Sequence, residues 1–197
     1  TLKEQESKGA TNQVVLDVIP YGRHFIDEDD IQSVVDVLRH GMLTQGPKVA
    51  EFEIKIANYV GAKYAVAVAN GTAALHLACM ALEIGKGDEV ITTTNTFVAT
   101  SNSILYVGAK TIFVDIDNRT LNIDIDQIEK AILDSNNIKA IFPVHFAGLP
   151  SDMERIKQLA DKYNLAIVED ASHALGATYN DGSRVGNCQY SDMTTLS

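Results

Sequence analysis

Apolar residues recur at helical spacing in two stretches near the start of the chain. Ile31, Val34, Val35 and Leu38 form the first stripe, and the acids Asp27 to Asp30 sit at its N-terminal end, where a helix dipole favours negative charge. The second stretch runs from Lys48 to Val60, with Val49, Phe52, Ile56 and Tyr59 on its apolar face, Gly46-Pro47 before it and Gly61 to close it. Beyond Gly61 the pattern changes to short runs rich in β-branched residues, at 65–69, 89–92, 111–115, 140–144 and 165–168, with helical stretches between most of them. Strands alternating with helices imply a parallel α/β sheet. Two helix starts are legible from their caps: Asp124 with Gln127, and Ser151 with Glu154 three residues later, a capping-box pattern ahead of Ile156, Leu159 and Ala160. No repeat, low-complexity linker or long charge run marks a second domain. The expected organisation is a loose tail over 1–18 and one domain over 19–197.

Composition narrows the class. With 197 residues and 46% apolar content the chain can bury a sizeable core. No apolar run approaches the roughly 20 residues of a membrane span, and residues 1–13 are polar without a signal-peptide core. A cytoplasmic location with no membrane partner is expected. Cys79 and Cys188 are too few for a disulfide framework and have no metal-ligand spacing, so each reads as a small buried side chain and no metal is expected. A formal charge of −10 repels a phosphate backbone, which argues against nucleic acid as a partner.

In open parallel sheets, ligands sit beyond the carboxyl ends of the strands, so the residues just after each run carry the information. After 65–69 comes Asn70-Gly71-Thr72-Ala73-Ala74, opening a helix with Leu75, Leu77, Ala78 and Leu82. Its free amides, helix dipole and hydroxyl suit a phosphate, although an ordinary N-cap reads the same way. Neither G-x-G-x-x-G nor G-x-x-x-x-G-K-[ST] occurs, which counts against nicotinamide cofactors and nucleoside triphosphates. Asn95-Thr96-Phe97 opens another helix and either presents an aromatic ring to the sheet edge or packs it in the core. His145, Phe146 and Gly148 form a turn that lines a substrate site or caps a strand. The most specific place is the run Leu165 to Val168, which ends in Glu169-Asp170 and continues Ala171-Ser172-His173-Ala174-Leu175-Gly176. A partly buried carboxylate there calls for a cationic partner, with a helix cap or a metal ligand as the plain alternatives, and His173 either returns to the same site or is structural.

These pieces, in this order, resemble the nucleotide-sugar aminotransferases of the DegT/StrS type, a fold-type I pyridoxal-phosphate family. The resemblance rests on Leu43-Thr44-Gln45-Gly46-Pro47, the turn from Asn70 to Leu75, Gly87-Asp88-Glu89-Val90-Ile91, Thr96-Phe97-Val98-Ala99-Thr100, Phe113-Val114-Asp115-Ile116-Asp117 and the stretch from Glu169 to Gly176. The stretch from Pro143 to Met153 is most similar to members that aminate UDP-4-keto-6-deoxy-N-acetyl sugars, as on the route to pseudaminic acid. The implied fold is the family's large domain, a mostly parallel sheet flanked by helices, stopping before its last strands and the small C-terminal domain. The implied cofactor is pyridoxal 5'-phosphate. Gly71, Thr72 and Ala73 would bind its phosphate together with Ser197, Phe97 would stack on its ring, Asp170 would pair with the ring nitrogen and His173 would contact the ring hydroxyl. Thr44 and His145 are the implied substrate residues.

In such families the phosphate-binding serine begins the pattern Ser-aromatic-x-x-x-Lys. Ser197 matches the serine, so the Schiff-base lysine is expected five residues beyond it, and none of the lysines present, the last being Lys162, takes that role. Transamination needs an amine and a base at that point, so the 197-residue chain alone is expected to be inactive. The implied activity of the full-length protein is transfer of an amino group from glutamate to the keto carbon of a nucleotide-linked sugar, by a homodimer. A sugar dehydratase with histidine in place of the lysine, a non-catalytic regulatory protein and an inert fragment are the alternatives.

Overall fold

The computed structural model describes residues 24–197. The expected tail over 1–18 lies outside the described residues. The described residues divide into two compact units, 24–45 and Gly46–Ser197. In the first, α1 (Glu28–His40) begins at Asp27, whose carboxylate accepts from the amides of Asp29 and Asp30 while Asp30 reaches back to the Asp27 amide, a complete capping box.

The second unit opens with α2 (Pro47–Val60), started by proline in its first turn and ended by Gly61 in the left-handed conformation at φ 86°. Its buried residues are Ala57 and Val60, whereas Val49, Phe52 and Tyr59 of the expected apolar face remain exposed. There follow α3 (Gly71–Ala81), β1 (Glu89–Thr93), α4 (Val98–Tyr106), β2 (Lys110–Val114), α5 (Ile125–Asp134), β3 (Ile138–Phe142), a 3-10 turn (Phe146–Gly148), α6 (Met153–Tyr163), β4 (Ala166–Asp170) and β5 (Met193–Thr195). The five strands pair in parallel in the order β2-β1-β3-β4-β5, which is the expected α/β architecture.

Strand alternation divides the core into two layers. Ile91, Ile141 and Ile167 pack against Ile125, Ile128, Met153 and Ile156 from α5 and α6. Val90, Ala140, Phe142 and Val168 point the other way, onto Leu75, Ala78 and Cys79 of α3 and Ala99 and Ile104 of α4. Each fully buried aliphatic side chain of this kind contributes about 1.5–3 kcal/mol. Cys79 is thus a core residue as expected, while Cys188 is only half-buried. Among the described residues no helix is long and apolar enough to cross a membrane.

Three local readings change. The run at 65–69 is not a strand: a ladder needs a neighbour, and here the amide of Ala67 is donated instead to the Glu53 carboxylate at 2.8 Å, with Val66 79% exposed. A cavity of about 330 Å³, lined by Val66, Val68 and the stretch from Thr194 to Ser197, separates it from β5. Helix α6 starts at Met153 and is capped by Asp152, which accepts from the Arg155 amide, while Ser151 lies one residue before the cap and donates its hydroxyl to the Val144 carbonyl at 3.1 Å. Strand β5 carries no apolar run and is held instead by its ladder to β4, Val168 opposite Met193 and Asp170 opposite Thr195.

Candidate functional site

The strand order reverses between β1 and β3, because the chain leaves β1 toward β2 and then returns to build β3, β4 and β5 on the other side. Crevices for ligands open at the carboxyl ends of strands at such a switch point. A cavity of about 320 Å³ lies there. Thr96, Phe97 and Ala99 reach it from the segment after β1, Val144, His145 and Phe146 from the turn after β3, Asp170, Ser172 and His173 from the end of β4, and Ser197 from beyond β5. The start of α3 adds Asn70, Gly71, Thr72 and Leu75.

One end of this cavity is built for an anion. Asn70 caps α3, its side-chain oxygen accepting from the Ala73 amide at 2.9 Å and its carbonyl from the Ala74 amide at 3.1 Å. The amides of Gly71 and Thr72 are then the remaining first-turn donors, at the positive end of the helix dipole. A Cβ added at Gly71 would stand 3.1 Å from Ser197 Cβ and 3.2 Å from its Oγ, closer than ordinary contact, so helix start and serine close tightly on one another. Of the residues singled out in the sequence, Gly71, Thr72 and Ser197 meet in the cavity, whereas Ala73 spends its amide on the cap and does not line it.

The other end holds a carboxylate. Asp170 is 5% exposed; its Oδ2 accepts from Thr100 Oγ1 at 2.6 Å, and its Oδ1 from Ser172 Oγ at 2.7 Å and the Ser172 amide at 3.3 Å. All its partners are neutral donors, which leaves the negative charge to face the cavity. Phe97 caps α4 and is 72% exposed, so its ring belongs to the cavity wall and not to the core. His173 also lines the cavity, its ring centroid 6.4 Å from that of Phe146.

Glu169, one residue earlier, faces the opposite layer and is fully buried. His145 Nε2 donates to its Oε2 at 2.7 Å, because His145 Nδ1 is occupied in accepting the Ser151 amide at 3.2 Å. Tyr179 Oη donates to the same oxygen at 2.6 Å, and Ser191 and Thr194 hydroxyls donate to Oε1 at 2.5 and 3.0 Å. Burial, the largest influence, pushes the Glu169 carboxyl up, but His145, Ser191 and Tyr179 together outweigh it and hold it below the ordinary carboxylate value. Tyr179 is pushed well up by its own burial and by the Glu169 charge. His145 therefore borders the cavity with both ring nitrogens engaged inside the protein. Thr44 is exposed in the bend after α1 and belongs to the N-terminal unit.

Local sequence gave no signal for Thr100, Tyr179, Ser191 or Thr194, whose partners lie on other elements. Ser172 could have been found, since a serine two residues after an aspartate forms a local turn with it.

Taken together, these elements make an open α/β sheet with a crevice suited to a planar group that is anionic at one end and cationic at the other. The chain belongs to the DegT/DnrJ/EryC1/StrS aminotransferase family, whose sequence profile matches residues 24–197. It is 44% identical to the UDP-4-amino-4-deoxy-L-arabinose–oxoglutarate aminotransferase of Shewanella sediminis, over 88% of this chain and 45% of that one. It is 47% identical to the spore coat polysaccharide biosynthesis protein SpsC of Bacillus subtilis, over 82% of this chain and 41% of that one. Among solved structures, Spr1654 of Streptococcus pneumoniae in its PLP form superposes with a TM-score of 0.85 at 36% identity, covering 91% of this chain and 48% of that chain. The chain thus spans about half the length of the relatives it matches.

Proposed function

We propose that the full-length protein is a pyridoxal-phosphate-dependent aminotransferase that moves an amino group from glutamate to the 4-keto carbon of a UDP-linked 6-deoxy-N-acetyl sugar. The observation that carries the reading is convergence: the start of α3 and the ends of four strands bring an anion cradle, an exposed aromatic ring and a buried carboxylate into one cavity. The donor set fits the cofactor, since a Cβ at Gly71 would crowd Ser197 and a phosphate accepts what two first-turn amides and two hydroxyls donate. When bound, the cofactor supplies an electron-accepting ring that carries the amino group between donor and acceptor. Gly71, Thr72 and Ser197 hold its phosphate, Phe97 lies against the ring, Asp170 keeps the ring nitrogen protonated and His173 meets the ring hydroxyl.

Among the described residues, none that lines the cavity is a lysine, so the 197-residue polypeptide by itself binds without turnover in this reading. The setting is the synthesis of bacterial surface glycans or nonulosonic acids in the cytoplasm, by a homodimer. Purified full-length protein should show a cofactor absorbance band that shifts with glutamate and returns when the UDP-4-keto-6-deoxy-N-acetyl sugar is added. A protein without such a band, or with one indifferent to glutamate, overturns the proposal.

A further inference from the structure

We infer that Thr100 is a positioning residue for Asp170: its buried hydroxyl fixes the carboxylate toward the cavity and so governs the protonation of the ring nitrogen bound there. The inference rests on the cofactor reading above and extends it to a residue that does not line the cavity.

Thr100 is the third residue of α4 and is fully buried. A threonine in a helical turn ordinarily bonds its hydroxyl back to a carbonyl of its own helix. Thr100 instead reaches across to a strand 70 residues away in sequence, donating to Asp170 Oδ2 at 2.6 Å. A hydroxyl has one proton, and a carboxylate can only accept, so the direction of that bond is fixed. Thr100 Oγ1 must then accept from Thr96 Oγ1, 2.7 Å away and much nearer than the alternative acceptor of the Thr96 proton, the Phe97 carbonyl at 3.3 Å, so the chain runs one way, from Thr96 through Thr100 to Asp170. Such aligned hydroxyls polarise one another and strengthen the terminal bond.

The same contact sets the geometry of the wall. Phe97 caps α4, and Thr100 donates its own amide to the Phe97 carbonyl at 3.2 Å. One turn of helix therefore carries both the exposed ring and the hydroxyl that ties it to the end of β4. The Ser172 bonds on Oδ1 come from the loop that directly follows Asp170, so they hold the carboxylate locally without tying it to the α3/α4 layer. That tie is supplied by Thr100.

The test uses the full-length protein loaded with pyridoxamine 5'-phosphate carrying nitrogen-15 in its ring. In the parent protein the ring nitrogen should resonate at the protonated position. Thr100→Val, which keeps the shape and removes the hydroxyl, should move the resonance toward the unprotonated position and weaken binding about 10-fold, the size of one charge-assisted hydrogen bond. Thr100→Ser should restore both. Thr100→Ala, which removes the hydroxyl without placing a methyl against the carboxylate, gives the same reading where the valine variant does not fold. A hydroxyl-free variant whose bound ring nitrogen keeps the parent resonance overturns the role of Thr100 alone. Absence of pyridoxamine phosphate binding by the parent overturns the cofactor reading, and this inference with it.

Discussion

Replacing Gly71 by alanine tests the anion cradle where its packing is tightest. The added Cβ would meet Ser197 Cβ at 3.1 Å and Ser197 Oγ at 3.2 Å, whereas ordinary contacts begin at 3.4 Å. Ser197 must therefore withdraw by roughly 0.3 Å to reach ordinary van der Waals contact with the methyl. Withdrawal misaims one hydroxyl donor to a dianion, and a hydrogen bond to a charged group is worth about 1.5–3 kcal/mol. The dissociation constant for pyridoxamine phosphate should rise roughly 10- to 100-fold. Folding should not suffer, because alanine favours helix over glycine by up to about 1 kcal/mol. Absorbance titration of the full-length variant gives the affinity, and a second background isolates the cause. Ser197→Gly removes both the donor and the atoms in the way, leaving Ser172 Oγ at 3.5 Å as an ordinary neighbour. In that background Gly71→Ala should cost less than about 0.5 kcal/mol further, a clear failure of additivity. Equal cost in the two backgrounds would refute the steric argument.

Three further outcomes follow from the buried carboxylates. Tyr179→Phe deletes one of the four donors to Glu169 and should lower the unfolding free energy by about 1–3 kcal/mol; a loss below about 0.5 kcal/mol in chemical denaturation counts against the network. Because the folded protein holds Glu169 below its ordinary 4.5, its contribution is present above that pH and is lost as pH falls beneath it, while the raised Tyr179 contributes below its ordinary 10.0 and is lost as pH climbs past it. Glu169→Gln should therefore flatten the acid limb of a stability–pH profile followed by circular dichroism, and an unchanged limb contradicts the assignment. Asp170→Asn should weaken cofactor binding at least as much as Thr100→Val and slow the reaction with glutamate by about 10²- to 10³-fold, the cost of losing one preorganised charge; a rate near the parent's removes Asp170 from the role proposed for it.

The elements that the sequence announced are those whose signals are local. Asp27, Asn70 and Asp124 cap the helices they precede, and the apolar runs that became β1 to β4 sit where their β-branched residues placed them. The misses have long-range causes. The run at 65–69 has strand composition, but pairing depends on a neighbour, and its Ala67 amide went to Glu53. Ser151 and Glu154 spell a capping box, yet the helix starts one residue later, with Asp152 as its cap and the Ser151 side chain turned to the Val144 carbonyl. Strand β5 is legible only through its ladder to β4, since Met193, Thr194 and Thr195 carry no apolar run.

The pair Glu169-Asp170 shows where sequence reasoning reaches its limit at the site. Alternation along a strand already requires that the two carboxylates face opposite layers, but not which of them faces a ligand. That is decided by the order of the strands. Right-handed crossovers place α4 on one face of the sheet on the way from β1 to β2, and the reversed direction of travel from β2 to β3 and on to β4 places α5 and α6 on the other. Asp170 shares the face of Val168, toward α3 and α4, and there it meets Thr100 at the mouth of the cavity. Glu169 shares the face of Ile167, where Tyr179, Ser191 and Thr194 enclose it with His145. Two chemically similar neighbours thus acquire different tasks, one buried and fully satisfied, the other open toward a ligand, from a handedness rule acting over most of the domain.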